Sequence, residues 1–130
     1  MIVRICKTFD FDAAHWLPHV CEGHKCGRLH GHTYRVSVIL EGEPDGHMGW
    51  FVDYADIAAA WLPIHDDVDH KCLNEVRGLE NPTTEALAPW ILRRFNASRL
   101  APFMVGVRVY ESSSTWCEAM NANASISEKQ

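Results

Sequence analysis

Three of the eight histidines in this 130-residue chain are spaced so that they could share one metal ion. His30 and His32 flank a glycine at the entry to an alternating segment, and the period of two in a strand directs both imidazoles to one face. His15 ends an earlier alternating segment, on a face that can converge with them. Three imidazoles with an open fourth position are typical of catalytic zinc. The spacing therefore predicts a Zn²⁺ site, although an exposed His-Gly-His turn explains that motif alone equally well.

The loop before His30 supports a second metal-site interpretation and a candidate acid or base. Cys21, His24, Cys26 and His30 could form a closed structural zinc site, but they lack the paired C-x2-C spacing of such sites. Cys26 precedes His30 by four residues, so its thiol is expected over a metal held by His30. The cation would increase the acidity of that thiol, which suits it to proton transfer. Packing is the alternative role for Cys26.

Carboxylates occur at two further positions where they could do chemistry. Asp69 directly precedes His70, and a carboxylate that accepts from one imidazole nitrogen strengthens the other nitrogen as a base. A solvated acidic loop with Asp66 and Asp67 is the favoured alternative for this segment taken alone. Glu111 continues an otherwise apolar strand face, where a carboxylate needs a partner. That partner could be an N–H pair on a ligand ring, or an arginine from another strand.

The charge balance excludes one broad class of function and leaves a local anion site open. The net charge is -5 and the isoelectric point is about 5.8, so the chain has no basic footprint for nucleic acid. Lys25 and Arg28 lie in the glycine-rich loop beside His24 and could bind phosphate oxygens. Solvated loop charges explain these two residues equally well.

The periodicity of the chain predicts the elements that position these residues. Residues 3–15 and 34–40 alternate as strands, residues 105–111 form a third strand, and a short fourth strand lies around Trp116. Asp53 is expected to cap a helix with Ile57, Ala60, Trp61 and Ile64 on one stripe, weakened at its end by Pro63. A second helix begins near residues 81–85 with Leu87, Trp90, Ile91 and Phe95 buried, and Pro89 predicts a kink or a late start.

This order of elements predicts an α+β fold in which two helices cover one face of a four-stranded antiparallel sheet. We expect one domain over residues 1–120 and a polar tail over residues 121–130. The chain has no apolar leader and no run of roughly 18 apolar residues, so neither export nor a membrane partner is expected. The five cysteines are an odd number, which favours reduced thiols and a cytoplasmic protein.

The motifs also match a known family in order along the chain. They are FDAAH at 11–15, EGHKCGRLHGH at 22–32, DH at 69–70, LN at 73–74, LENPT at 79–83 followed by Glu85, and VYE at 109–111. In these residues the chain resembles the 6-pyruvoyl-tetrahydropterin synthase family. The spacing of three residues between Cys26 and the His-Gly-His motif is similar to that of the bacterial branch that forms 6-carboxy-tetrahydropterin.

The resemblance implies a role for each matching residue. His15, His30 and His32 are then the Zn²⁺ ligands, and Cys26, Asp69 and His70 transfer protons. Glu111 anchors the pterin ring, while Thr83 and Thr84 hold its edge. We assign triphosphate contacts to Lys25 and Arg28 with less support from the motifs.

The resemblance also implies a fold, an assembly and a reaction. The fold is the tunnelling fold, and protomers form a homo-oligomeric ring, for which a hexamer is one arrangement, with active sites between subunits. The implied reaction converts 7,8-dihydroneopterin triphosphate to 6-carboxy-5,6,7,8-tetrahydropterin with loss of acetaldehyde and triphosphate, on the route to queuosine and other 7-deazapurines. A 6-pyruvoyl-tetrahydropterin synthase activity and a non-catalytic zinc-binding module are the alternatives.

Overall fold

The computed structural model describes residues 1–122 and contains five strands and two helices in that range. The strands are β1 (Val3–His15), β2 (His30–Gly42), β3 (Lys71–Cys72), β4 (Met104–Tyr110) and β5 (Trp116–Met120), and the helices are α1 (Tyr54–Val68) and α2 (Thr84–Asn96). Within the described range, neither helix is long and apolar enough to cross a membrane. Most of the predicted tail, residues 123–130, lies outside the described residues, whereas Asn121 donates from Nδ2 to the Met104 carbonyl at 3.0 Å.

The strands form a single sheet in the order β3-β1-β2-β4-β5. All neighbours are antiparallel except β3, which runs parallel to the end of β1 through the pairs Ala13–Lys71 and Ala14–Cys72. The predicted α+β class with two helices is therefore confirmed, but the sheet has five strands rather than four. β3 was missed because two residues are too few for a period to be read from the sequence.

Alternation along the two long strands determines which face of the sheet is buried. Val36, Val38 and Leu40 on β2 are fully buried, and the same face of β1 buries Phe11 and Ala13. Both helices pack on this face, because their apolar stripes belong to the same core cluster. The helical residues buried there are Ile57, Trp61, Ile64 and Val68 on α1 and Leu87, Ala88, Trp90, Ile91, Leu92 and Phe95 on α2.

The prediction that Val105, Val107 and Val109 form one row is wrong at its first residue. The β2–β4 register shifts between Ile39 and Leu40, so Leu40 pairs with Met104 and Val105 is left out of the ladder. Such a bulge adds one residue to one strand and moves the following side chains to the other face. Gly106 follows the bulge, and a side chain there would run into the carbonyl of Ala119 on β5.

Side-chain caps start both helices where the sequence predicts them. Asp53 accepts a hydrogen bond from the N–H of Ala55 at 2.9 Å, and Thr83 accepts one from Ala86 at 3.1 Å. α2 begins at Thr84, so Pro89 lies inside it and the predicted late start is wrong. α1 likewise continues through Pro63. The buried stripes of both helices offset the cost of an interior proline, about 3 kcal/mol.

Stacked aromatic rings connect the two long strands to both helices. Phe11 stacks on Tyr34 with ring centroids 4.9 Å apart, and Phe9 stacks on Trp61 at 5.1 Å. Trp61 in turn lies parallel to Phe95 of α2 at 6.4 Å. Offset stacking of this kind adds about 0.5–1.5 kcal/mol per pair to the burial of the rings. The layer therefore stabilises the orientation of β1 and β2 relative to the helices.

The same substitution in each helix tests this arrangement. Leu87→Ala on α2 removes a fully buried side chain, and we expect the free energy of unfolding to fall by about 2–5 kcal/mol. Leu62 of α1 is 59% exposed, so Leu62→Ala should change it by no more than about 0.5 kcal/mol. Urea denaturation followed by circular dichroism measures both. Equal losses for the two variants would contradict the assignment of the buried face.

Candidate active site

The pairing of β1 with β2 brings the three predicted metal ligands together. His15 lies directly opposite His30 in the ladder, and His32 lies opposite Ala13, so all three side chains project from the same face. One ligand nitrogen from each residue lies within 4.8 Å of the others. The Nε2 atoms of His15 and His30 are 3.0 Å apart, and His15 is almost fully buried. The trio therefore forms a compact group of nitrogen ligands at the end of the core.

Backbone carbonyls determine which ring nitrogen of His15 and of His30 is left free to bind a metal ion. Nδ1–H of His15 donates to the Pro82 carbonyl at 2.8 Å, and Nδ1–H of His30 donates to the Arg28 carbonyl at 2.6 Å. Because a carbonyl only accepts, both rings carry their proton on Nδ1 and leave the Nε2 lone pair free. Partners of this kind orient imidazole ligands in metal sites.

The third histidine supplies an unsatisfied buried nitrogen. Nε2 of His32 is buried and makes no hydrogen bond to any residue from 1 to 122, although Oε1 of Glu111 lies 3.1 Å away. Burial lowers the pKa of His32 below its ordinary value of 6.5, Glu111 opposes this shift, and the other two imidazoles add to it. The neutral form that binds metal is therefore favoured. The donor set and the unpartnered nitrogen both fit a Zn²⁺ ion with an open coordination position.

Glu111 reaches the cluster from the residue that follows β4. Its side chain is 31% exposed, and among the described residues Oε1 lies 3.1 Å from Nε2 of His32. The alternative partner considered from the sequence, an arginine on another strand, is not observed in this range. The carboxylate is therefore available to a ligand that approaches the histidine face.

The loop that carries Cys26 is attached close to two of the metal ligands. Cys26 lies half-buried in a 3₁₀ turn, Lys25–Gly27, and its carbonyl accepts from the N–H of Leu17, two residues after His15, at 2.8 Å. Its own N–H donates to Nδ1 of His24 at 3.0 Å. The rival site is not formed in the described range, where the histidine trio is the group of ligand atoms that converges.

The two cations predicted for phosphate contact lie on the same loop. Lys25 and Arg28 are exposed, and neither forms a salt bridge with a residue in the range 1–122. Their side chains are thus free to meet an anionic group at the rim of the histidine cluster.

Asp69 and His70 form a hydrogen-bonded pair, which we call the dyad. Oδ2 of Asp69 lies 2.8 Å from Nδ1 of His70, and Oδ1 accepts from the N–H of Asp12 at 3.0 Å. Adjacent residues can pair here because His70 has a left-handed backbone, with φ of 58°. The Asp12 N–H, followed by the bond with His70, holds the pKa of Asp69 below its ordinary value, and Asp69 raises the pKa of His70.

Among residues 1–122, no hydrogen bond joins the dyad to the histidine trio or to Cys26. The His70 side chain is 77% exposed and lines a cleft that is also lined by Asp12, Thr33 and one member of the trio, His32. The predicted proton-transfer groups are therefore not bonded to one another within the described part of one chain.

The two threonines predicted to hold a ring edge already have local partners. Thr83 Oγ1 caps α2, and Thr84 Oγ1 donates to Glu85 at 2.9 Å. Both are half-buried and directly follow Pro82, whose carbonyl bonds to His15. This segment therefore lies beside the cluster.

Sequence reasoning missed one side chain and several backbone groups that support the site, the Arg28 carbonyl among them. The Tyr34 hydroxyl lies 3.2 Å from Nδ1 of His15, and burial raises the pKa of that tyrosine. Tyr34 could have been found, because it follows His32 by two residues on the same strand face. The Pro82 carbonyl and the Asp12 N–H are backbone groups, for which residue type carries no signal.

Comparison with known proteins agrees with this geometry. A family model described as 6-pyruvoyl tetrahydropterin synthase matches residues 4–122. The chain is 38% identical to a 6-carboxy-5,6,7,8-tetrahydropterin synthase of Synechocystis sp., over 83% of this chain and 85% of that protein. It is 34% identical to a dihydroneopterin monophosphate aldolase of Pyrococcus furiosus, over 72% of this chain and 75% of that one.

A solved structure has the same architecture. The 6-pyruvoyl tetrahydropterin synthase of Caenorhabditis elegans superimposes with a TM-score of 0.87 at 24% identity and covers 94% of this chain and 97% of its own. This likeness confirms the expected tunnelling fold. With the family model spanning nearly the whole described chain and a relative at 38% identity, the chain belongs to the 6-pyruvoyl tetrahydropterin synthase family.

Proposed function

We propose that this chain is a Zn²⁺-dependent carbon–carbon lyase that converts 7,8-dihydroneopterin triphosphate and one water molecule to 6-carboxy-5,6,7,8-tetrahydropterin, acetaldehyde and triphosphate. The observation that carries the proposal is the trio His15, His30 and His32, oriented by backbone carbonyls and adjoining the Glu111 carboxylate. The name of the Synechocystis relative supports the same reaction. The proposed place of the reaction is the route to queuosine and other 7-deazapurines.

The three imidazoles would hold Zn²⁺, which acts as a Lewis acid toward substrate oxygens when bound. Glu111 would accept two N–H bonds from the pterin ring, which fixes the side chain of the substrate over the trio. Thr83 and Thr84 would contact the ring edge. Lys25 and Arg28, exposed on the rim, would bind the triphosphate.

Two groups would move protons on and off the substrate side chain. Cys26 lies on the loop attached beside His15 and acts as the base. His70, whose pKa is raised by Asp69, is protonated over a wider pH range than a free histidine and acts as the acid. A positioned acid or base contributes about 10²–10⁴-fold to the rate.

The exposed side chain of His70, which bonds to Asp69 and to no member of the trio within residues 1–122, supports an assembly in which neighbouring subunits complete each site. The dyad of one protomer would then face the trio of the next in a homo-oligomeric ring, for which we propose a hexamer. In the described range β3 pairs only with Ala13 and Ala14, and Asp12 bonds to Asp69 and His70, so the outer edge of β1 remains open over residues 3–11, and β5 is the opposite edge. Open edges of this length are available for pairing with another strand. We place the assembled enzyme in the cytoplasm.

Product analysis tests the proposed reaction. The zinc-loaded chain is incubated with 7,8-dihydroneopterin triphosphate, the pterin product is identified by mass spectrometry, and acetaldehyde is trapped. We expect a carboxylated pterin and one equivalent of acetaldehyde. A pyruvoyl product would instead assign the sister activity, and hydroxymethyl-pterin would assign an aldolase. If the folded, metal-loaded protein shows no turnover, the alternative of a non-catalytic zinc-binding module would be favoured.

Two substitutions in one loop separate catalysis from metal binding. Cys26→Ala should reduce kcat by about 10²–10⁴-fold while Zn²⁺ content stays unchanged, because the thiol moves a proton and is not a ligand. Cys21 lies in the same loop and is exposed, so Cys21→Ala is the matched control and should keep full activity. Zinc is quantified by mass spectrometry on the same samples. Full activity in Cys26→Ala would exclude the thiol from the mechanism.

The dyad makes a prediction about pH. Because the Asp69 carboxylate stabilises the imidazolium, Asp69→Asn should lower the pKa of His70 toward about 6.5, as measured by NMR titration of the ring. An acid with a lower pKa loses its proton earlier as pH rises, so the alkaline limb of kcat should move to lower pH. Asp66→Asn is the control, since Asp66 contacts His65 rather than His70. An unchanged His70 titration in Asp69→Asn would refute the pairing.

A further inference from the structure

The side chain of Asn74 holds the backbone of Trp16 at two points. Its Oδ1 accepts from the Trp16 N–H at 3.0 Å, and its Nδ2 donates to the Trp16 carbonyl at 2.8 Å. Both groups of one residue are thus taken by a single carboxamide, as they would be by a neighbouring strand. Trp16 directly follows His15, the most buried of the three metal ligands.

The contact between Asn74 and Trp16 extends the hydrogen bonding between β1 and β3 beyond the last backbone pair. The segment from the dyad onward runs beside β1, with Asp69 and His70 bonded to Asp12, then the pairs Ala13–Lys71 and Ala14–Cys72. After Cys72 the chain enters the 3₁₀ turn Leu73–Glu75, anchored by the fully buried Leu73, and backbone pairing stops. Asn74 lies in that turn and replaces the missing strand residue with its side chain.

On the outer edge of β1, the backbone is therefore fixed at one point on each side of His15, in addition to the pairing of His15 with His30. Ala14 is held by the β1–β3 pairing, and Trp16 is held by Asn74. Trp16 is 40% exposed, so water competes for its backbone as soon as the carboxamide is removed. The chain beyond it leads into the Cys26 loop through Leu17, which donates to the Cys26 carbonyl. Release of Trp16 would loosen both the buried ligand and that loop.

We propose that Asn74 is a positioning residue that couples the dyad segment to the metal end of β1 and thereby aims His15 at the ion. The proposal rests on the metal site of the proposed function, and it adds a residue that touches neither the substrate nor the metal. Its effect should appear in metal affinity, because support of an imidazole ligand commonly changes affinity by about 10–100-fold.

The test is Zn²⁺ affinity of the full chain, measured by competition with a chelating dye. Asn74→Ala removes both hydrogen bonds, and we expect affinity to fall about 10–100-fold. Asn74→Asp keeps the size and the acceptor but cannot donate to the Trp16 carbonyl, so it should also lose affinity and serves if the alanine variant fails to fold. Amide hydrogen exchange at Trp16 in the metal-free protein should accelerate in Asn74→Ala, which loses the acceptor of that N–H, and less in Asn74→Asp, which keeps it.

A matched asparagine far from the site separates positioning from general stability. Asn121 bonds through its side chain to Asn96 and to the Met104 carbonyl, so Asn121→Ala also loses side-chain hydrogen bonds but should keep the original Zn²⁺ affinity. Folded Asn74 variants that bind Zn²⁺ as tightly as the unaltered chain would overturn the proposal, as would an equal loss in Asn121→Ala. The Zn²⁺ assay contains no pterin, so its result does not depend on lyase activity. A chain that binds Zn²⁺ but lacks lyase activity would overturn the proposed function and not the role of Asn74. An unaltered chain that binds no Zn²⁺ overturns both.

Discussion

The antiparallel pairing of β1 with β2 is the constraint on which the metal cluster depends. Its thirteen residue pairs place His15 opposite His30 and Ala13 opposite His32. A slip of one residue in either strand would turn that strand's side chains to the other face and separate the ligands. The same slip would expose Phe11 and Tyr34, whose stacked rings are buried in the core. Burial of these rings therefore stabilises the register, and the register places the three imidazoles side by side.

The cluster lies where the apolar row of each strand ends, and this location explains its electrostatics. Along β1 the inward face passes from Phe11 through Ala13 to His15, so the imidazoles adjoin the hydrophobic core rather than bulk water. Burial lowers the pKa of His32, which favours the neutral ring that can donate a lone pair. Each buried N–H then needs an acceptor, and the carbonyls of Pro82 and Arg28 supply two of them. The loops that contain those carbonyls are therefore part of the site.

The segment after α1 forms hydrogen bonds along the outer edge of β1 and so positions the dyad. The left-handed backbone at His70 lets the ring bond to Asp69 while its own N–H donates to Asp12 at 2.6 Å. A non-glycine residue in this conformation is strained, and such strain persists only where the surroundings fix it. Bonds at Asp12, the two β3 pairs and the Asn74 carboxamide provide that fixation. The dyad is thus attached to the strand that carries His15, yet within residues 1–122 no hydrogen bond joins it to the trio of its own protomer.

Local pattern was sufficient for much of this molecule. Periods of two and 3.6 residues predicted both long strands, both helices and their buried faces, and the period of two also predicted that His30 and His32 share a face with His15. These features depend on side-chain direction within one element, which residue order determines directly. The tertiary structure alone decided the two-residue β3, the bulge at Val105 and the continuation of the helices through Pro63 and Pro89. It also decided the carbonyl that orients His15, which comes from a residue 67 positions away. Backbone groups are the same in every residue except proline, so their partners become visible only when the folded chain brings distant segments together.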